Sequence, residues 1–132
     1  MTQNVQAFLS AQVAIRPDAV ALTDSVGMRW TFAQLDSASR QAADMLRSAG
    51  VKPQDRVLML SENCAAAVAA LFACWKMDAV VIPVNARQTE GEVKRIMDHA
   101  TPAAVLMTSA VSKDAVQHAE RMGATEQTGA FG

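Results

Sequence analysis

Three short apolar runs, Val57–Leu60, Val80–Val84 and Ala103–Met107, begin 23 residues apart each time. None alternates polar with apolar residues, as a strand with one wet face would, so each is expected to be a strand covered on both faces. Each gap holds one helix, from about Cys64 to Met77 (CAAAVAALFACWKM) and from Thr89 to Ala100. Parallel strands cannot be joined by a tight turn and need a crossover of this length, which is right-handed in nearly all cases. The expected fold class is therefore α/β: a three-layer, partial Rossmann-like domain, with a mostly parallel sheet and helices on both faces. The units share no sequence, so the spacing is not that of a repeat protein.

The flanking segments carry local signals. Thr31 and Gln34 form a T-x-x-Q capping box, in which each side chain can bond a free backbone N–H at a helix start. Trp30 and Leu35 stand at the positions of a hydrophobic staple. Phe32, Leu35, Ala42, Met45, Leu46 and Ala49 make an apolar stripe, and Gly50 suits the left-handed residue that closes a helix. Thr89 and Glu92 form a second capping box, with Pro102 as the stop. Val20–Thr23 and Met28–Thr31 flank the turn Ser25-Val26-Gly27 and read as a small N-terminal antiparallel hairpin. Asn4 is expected to cap a first helix with Val5, Phe8, Leu9 and Val13 on one face and Pro17 beyond it. Ser112 is expected to cap a last amphipathic helix carrying Ala115, Val116, Ala119 and Met122, closed by Gly123. Residues 124–132 are expected to be a disordered tail.

With 132 residues the chain is one domain or part of one, long enough to bury roughly two-thirds of its unfolded surface. A composition 51% apolar and 19% charged argues against disorder, and a net charge of -1 offers no basic field for nucleic acid or anionic lipid. The longest apolar run, Cys64–Trp75, is too short to span a bilayer, and the N-terminus lacks the basic and apolar regions of a secretory signal. No nucleic-acid or membrane partner is expected, and the expected location is cytoplasmic. Cys64 and Cys74 would lie about 15 Å apart along one helix, beyond disulfide reach. No CxxC or His–Cys cluster points to zinc.

Few residues offer chemistry. Asn63 follows the first run, and Pro83, Asn85 and Arg87 leave the second on the same edge, where open α/β sheets bind ligands. The plainer role for Asn63 is N-cap of the helix that starts at Cys64. An exposed Arg87 is more often solvated or paired than bound to a phosphate or carboxylate. His99 and His118 have no carboxylate at ligand or triad spacing and read as surface histidines. Ser61 lacks a G-x-S-x-G elbow, and neither GxGxxG nor GxxxxGK[ST] occurs. The eight methionines fall mostly at core positions and need no cofactor. The Cys64–Met77 helix is apolar all round, so it needs cover from the sheet and from a second neighbour, which its alanines would admit closely. In one version of that reading, the neighbour is a second half of the domain outside this chain. No catalytic, cofactor-binding or metal-binding residue is assigned.

Four segments appear in a fixed order: Arg16–Leu22 (RPDAVAL), Trp30–Leu35 (WTFAQL), Gly50–Val57 (GVKPQDRV) and Lys76–Asn85 (KMDAVVIPVN). In register they resemble the opening of the AMP-forming acyl-CoA synthetases, the acyl-adenylating ligases. That family carries a proline-aspartate step, T-[YF]-x-x-L, G-V-x-P-G-D-R-V and K-A-G-A-x-x-x-P-x-N at these places. The resemblance covers roughly residues 3 to 110. Gln54 and Asp78 stand where the family has hinge glycines, so the fold is expected to survive with slight strain. Met77 adds bulk where a small residue is usual.

The resemblance implies two half-reactions: a carboxylate attacks the α-phosphate of Mg-ATP to give an acyl-adenylate and pyrophosphate, then a thiol, usually coenzyme A, takes the acyl group. ATP, Mg and coenzyme A are implied for the complete enzyme. No position matches the family's S-G-T-T-G-x-P-K-G loop, its adenine and ribose motifs, or its late catalytic lysine. The expectation is an N-terminal fragment of an ATP-dependent acyl-CoA synthetase. Residues 1–132 would be a single incomplete subdomain, inactive alone and binding none of these cofactors itself. The alternative is a stand-alone interaction or oligomerisation domain of the same fold, whose exposed apolar face is covered by a partner chain or a second copy. The partner expected for the fragment is a second copy or the missing remainder of the domain. An unrelated flavodoxin-like binding module would carry an acidic pocket or a glycine-rich phosphate loop after its first strand, and neither is evident.

Overall fold

The three apolar runs form one parallel sheet in the computed structural model, which describes residues 4–132. Gln3, where the family resemblance begins, lies outside the described residues. The order is α1 (Gln6–Ile15), β1 (Val20–Thr23), β2 (Arg29–Thr31), α2 (Phe32–Ser48), β3 (Arg56–Ser61), α3 (Ala65–Lys76), β4 (Val80–Asn85), α4 (Glu90–Ala100), β5 (Ala104–Met107) and α5 (Lys113–Met122). β1 and β2 pair as an antiparallel hairpin, and the parallel sheet has the strand order β4-β3-β5. Side chains alternate along β3. Val57 and Met59 therefore meet α2 and α3 on one face, while Leu58 and Leu60 meet Val93 of α4 on the other. This is the three-layer α/β arrangement expected, and both capping boxes form as read.

Cover on both faces holds fully for β3 alone. Its residues Val57–Leu60 are at most 2% exposed, whereas β5 is half-buried throughout and Val80 of β4 is 46% exposed. β4 and β5 are the rims of a three-stranded sheet, so each lacks a neighbour on one side. The N–H groups of Val80 and Ala86 point toward β3, bonding the Asp55 and Ser61 carbonyls at 2.8 and 3.2 Å. By alternation, position 83 faces away from β3, so Pro83 removes no bond from the ladder.

The second neighbour of the apolar helix α3 is α2 of the same chain. Ala38, Ala42 and Ala43 of α2 meet Ala65, Ala69 and Ala73 of α3, and none of the six is more than 3% exposed. The small side chains let the two helices approach closely. One charged group sits inside this contact: Asp36 of α2 accepts from Lys76 Nζ of α3 at 2.7 Å and also pairs with Arg40. Gln6 of α1 lies 3.4 Å from the same ammonium.

Val5, not Asn4, holds the N-cap position of α1; one residue earlier, Asn4 still accepts the Gln6 N–H on its Oδ1 at 3.1 Å, and its Nδ2 donates to the Trp75 carbonyl at 2.6 Å. The apolar face of α1 differs from the reading. Leu9 is buried and Val13 is half-buried beside the Trp30–Leu35 cluster, but Val5 and Phe8 are exposed, Phe8 by 66%. Leu9 and Val13 stand one turn apart on a single line, whereas Phe8 is rotated by about 100° from Leu9. Residues 124–132 adopt coil that returns to α2, where the Ala130 N–H donates to Gln41 Oε1 at 2.8 Å and Phe131 touches two core clusters. Among the described residues no helix is long and apolar enough to cross a membrane.

The two residues standing in place of hinge glycines are both left-handed, Gln54 at φ 71 and Asp78 at φ 61. They also meet: the Gln54 N–H donates to the Asp78 carbonyl at 2.7 Å, and Gln54 Nε2 to Asp78 Oδ2 at 3.1 Å. A left-handed side chain costs about 1–2 kcal/mol, more than the roughly 0.5–1 kcal/mol that glycine loses in chain entropy. Gln54→Gly is therefore expected to stabilise the chain modestly, read as a higher urea midpoint. A lower midpoint would mean that the Gln54 side-chain bond outweighs the strain.

Candidate functional site

β3 runs into α3 on one face of the sheet, and its neighbour β4 runs into α4 on the opposite face. Where adjacent parallel strands send their connections to opposite faces, a crevice opens at their carboxyl ends. It is present here as an open cleft of about 430 Å3, lined by Ser61, Glu62, Asn63, Pro83, Val84, Asn85 and Arg87. Asn63, Pro83, Asn85 and Arg87, the residues singled out from sequence, thus come together.

Their roles are partly different from those read. Asn63 is not the cap of α3: Cys64 holds that position without a side-chain bond, and Asn63 is exposed at the cleft. The free N–H of Ala65 at the start of α3 goes instead to Asp24 Oδ2 at 3.0 Å, from the hairpin turn. Asp24 Oδ1 also receives the N–H groups of Val26 and Met28, so one carboxylate fixes the turn and the helix start together. The Ala65 N–H foremost, with those of Met28 and Val26, holds the Asp24 carboxyl below the ordinary aspartate range.

Asn85 closes the turn after β4 by accepting the Arg87 N–H on its Oδ1 at 2.9 Å. Arg87 is paired, its Nε donating to Glu62 Oε1 at 3.0 Å across the cleft. Glu62 was not singled out from sequence. Its own N–H donates to Thr108 Oγ1 at 3.2 Å. The Ser112 hydroxyl first, then Arg87, holds the Glu62 carboxyl below its ordinary range. Its contribution to stability is therefore complete above the ordinary glutamate value and fades as pH falls through the depressed folded one. Urea midpoints followed into acid should fall less steeply for Glu62→Gln than for the parent chain. Parallel curves would show that these bonds leave stability untouched.

His118 corrects the reading of a surface histidine, whereas His99 is exposed as expected. His118 is 3% exposed, and its Nε2 lies 3.0 Å from the Ala86 carbonyl and 3.1 Å from that of Gln88. Carbonyls only accept, so Nε2 carries the proton and Nδ1 accepts from the Arg121 guanidinium. Its position, one turn before the end of an amphipathic helix, gave no sign of a partner more than thirty residues away in the chain.

The chemistry on offer is limited. Burial pushes the Cys74 thiol up to about 11 and raises that of Cys64, so both stay protonated and unreactive. Among the described residues no three His, Cys, Asp or Glu side chains gather as metal ligands. The cleft lining presents one guanidinium, already engaged by a carboxylate, and no glycine-rich turn. It does not fit a triphosphate, so no adenylation step is derived through these residues.

A doubly wound α/β sheet with a polar cleft at its switch point defines a class that includes many nucleotide- and acyl-handling enzymes. The model of the AMP-binding enzyme family matches residues 9–130, and the chain belongs to that family. It is 35% identical over 106 residues to the 3-oxocholest-4-en-26-oate–CoA ligase of Rhodococcus rhodochrous, covering 80% of this chain and 19% of that protein. It is 40% identical over 74 residues to a feruloyl-CoA synthase of an Amycolatopsis species, covering 56% of this chain and 14% of that protein. Among solved structures, the N-terminal domain of FACL13 from Mycobacterium tuberculosis shares the fold, with a TM-score of 0.78 at 23% identity. The match covers 90% of this chain and 30% of that one. The chain thus spans less than a fifth of the length of these two curated relatives.

Proposed function

We propose that this chain is the N-terminal portion of an ATP-dependent ligase that activates a carboxylic acid as its adenylate and passes the acyl group to coenzyme A. The observation that carries this reading is the 35% identity over 106 residues to a CoA ligase, within the family match. Its part is structural: the sheet, the hinges at Gln54 and Asp78, and the cleft form one wall of a larger active site. Adenylation needs charge stabilisation around the phosphates that this cleft does not offer, so the chain alone is inactive in this reading. The compartment is the cytoplasm, in keeping with two buried, unpaired cysteines.

A chimera tests the first part. This chain replaces the matching segment of the Rhodococcus ligase, and ATP–pyrophosphate exchange is measured with that enzyme's own acid. Exchange above the level of a chimera bearing an unrelated α/β segment supports the reading; a folded chimera without exchange counts against it. Inactivity of the isolated chain is a separate claim, and exchange by the purified 132-residue protein would overturn it.

A second reading, an association domain, is favoured by α1, whose Phe8 and Ile15 are 66% and 75% exposed. Light scattering at rising concentration should then give a mass above that of one chain, and Phe8→Ser with Ile15→Ser should return it to the monomer. A monomer throughout would remove this reading.

A further inference from the structure

We infer that His118 is the positioning residue of the cleft, holding from α5 the turn that carries the arginine of its ion pair. α5 starts at Ser112, its N-cap, which accepts the Ala115 N–H at 3.0 Å. His118, nearly two turns on, places Nε2 against the Ala86 and Gln88 carbonyls, which flank Arg87 on either side. The arginine that reaches across the cleft to Glu62 is thus carried by a turn held on both sides from one imidazole nitrogen.

Packing alone does not call for an imidazole here. The groove between α4 and α5 in which His118 lies has Val93 and Met97 on its walls, and an aliphatic side chain would fill it without polar atoms to satisfy. Glu90, Lys94 and Asp98 face the same groove from α4, and Arg121 stands beside Nδ1 on α5. The ring is buried with every nitrogen used, two contacts going to the turn and one to its own helix. Losing the Nε2 contacts frees the turn, and with it Arg87, while the sheet below keeps its own hydrogen bonds. This concerns the cleft itself and stands whether or not the ligase reading holds.

The two nitrogens can be separated by substitution, because glutamine places an amide N–H near the position of Nε2 and asparagine stops at that of Nδ1. Hydrogen exchange of the 132-residue protein is read by NMR at the amides of Arg87, Gln88 and Thr89 and at the Arg87 side-chain Nε–H. With His118→Ala and His118→Asn, exchange at these sites should rise by about tenfold, as expected for one or two lost hydrogen bonds. The β3 amides of Leu58 and Leu60 should not change, and His118→Gln should stay near the parent rates. Unchanged rates at the turn with His118→Ala overturn the inference. So does a rise shared equally by β3, which would make His118 a general stabiliser, or a His118→Gln chain that exchanges like the asparagine variant. If the alanine variant does not fold, the glutamine–asparagine comparison alone decides.

Discussion

Replacing Asp36 by alanine is expected to lower the free energy of unfolding by about 3–5 kcal/mol, because it leaves a buried ammonium without its counter-charge. The aspartate is 5% exposed. Its partner Arg40 has a side chain 70% exposed and can turn to water, but that of Lys76 is 12% exposed and, among the described residues, would keep only Gln6 Oε1, at 3.4 Å. The loss measures the stranded charge rather than the worth of the bridge. Asp36→Leu combined with Lys76→Met should therefore recover most of it. Urea titration of the single and double variants distinguishes the cases. A single-variant loss below about 1 kcal/mol would class the pair with solvent-exposed bridges and remove it as the tie between α2 and α3.

Leu58→Ala should cost about 2–5 kcal/mol, since truncation at a sealed site leaves a cavity as well as losing apolar burial. Leu58 is fully buried in the central strand, between Ile82 and Val105 of the rim strands and beneath Val93 of α4. The control is Val80→Ala on the β4 rim, at 46% exposure, which should stay within about 0.5 kcal/mol. Thermal unfolding of both variants at several protein concentrations gives the comparison. Similar losses at the two positions would mean that the rim is covered in solution.

The elements that the sequence announced are those whose causes are local. Two capping boxes, an apolar stripe closed by Gly50 and three evenly spaced runs all act within a few residues of themselves, and each forms where read, except that Ala49 at the end of the stripe is exposed. The left-handed Gln54 and Asp78 were also readable, though only through family likeness, because neither residue type announces that geometry by itself. What escaped reading depends on partners far away in the chain. Asp36 meets Lys76 across 40 positions, Asp24 caps α3 across 41, and Glu62 takes Arg87 across 25. A charged residue on a helix flank is the normal signature of a wet surface, so Asp36 and His118 carried no local mark of burial. Of the cleft, the edge and four of its residues were readable, but not the carboxylate that neutralises the arginine.

The two rims of the sheet differ in kind. The outer side of β4 has a proline at its middle, where a joining strand would look for a donor. On β5 the Ala103 N–H turns inward to the Arg56 carbonyl at 2.8 Å, so by alternation Ala104 and Leu106 direct theirs outward, and no proline interrupts them. A further strand meets an unbroken row of donors and acceptors beside β5, and a gap beside β4. Assembly of a wider sheet from this one therefore has a direction: one margin is finished, and the other is a template.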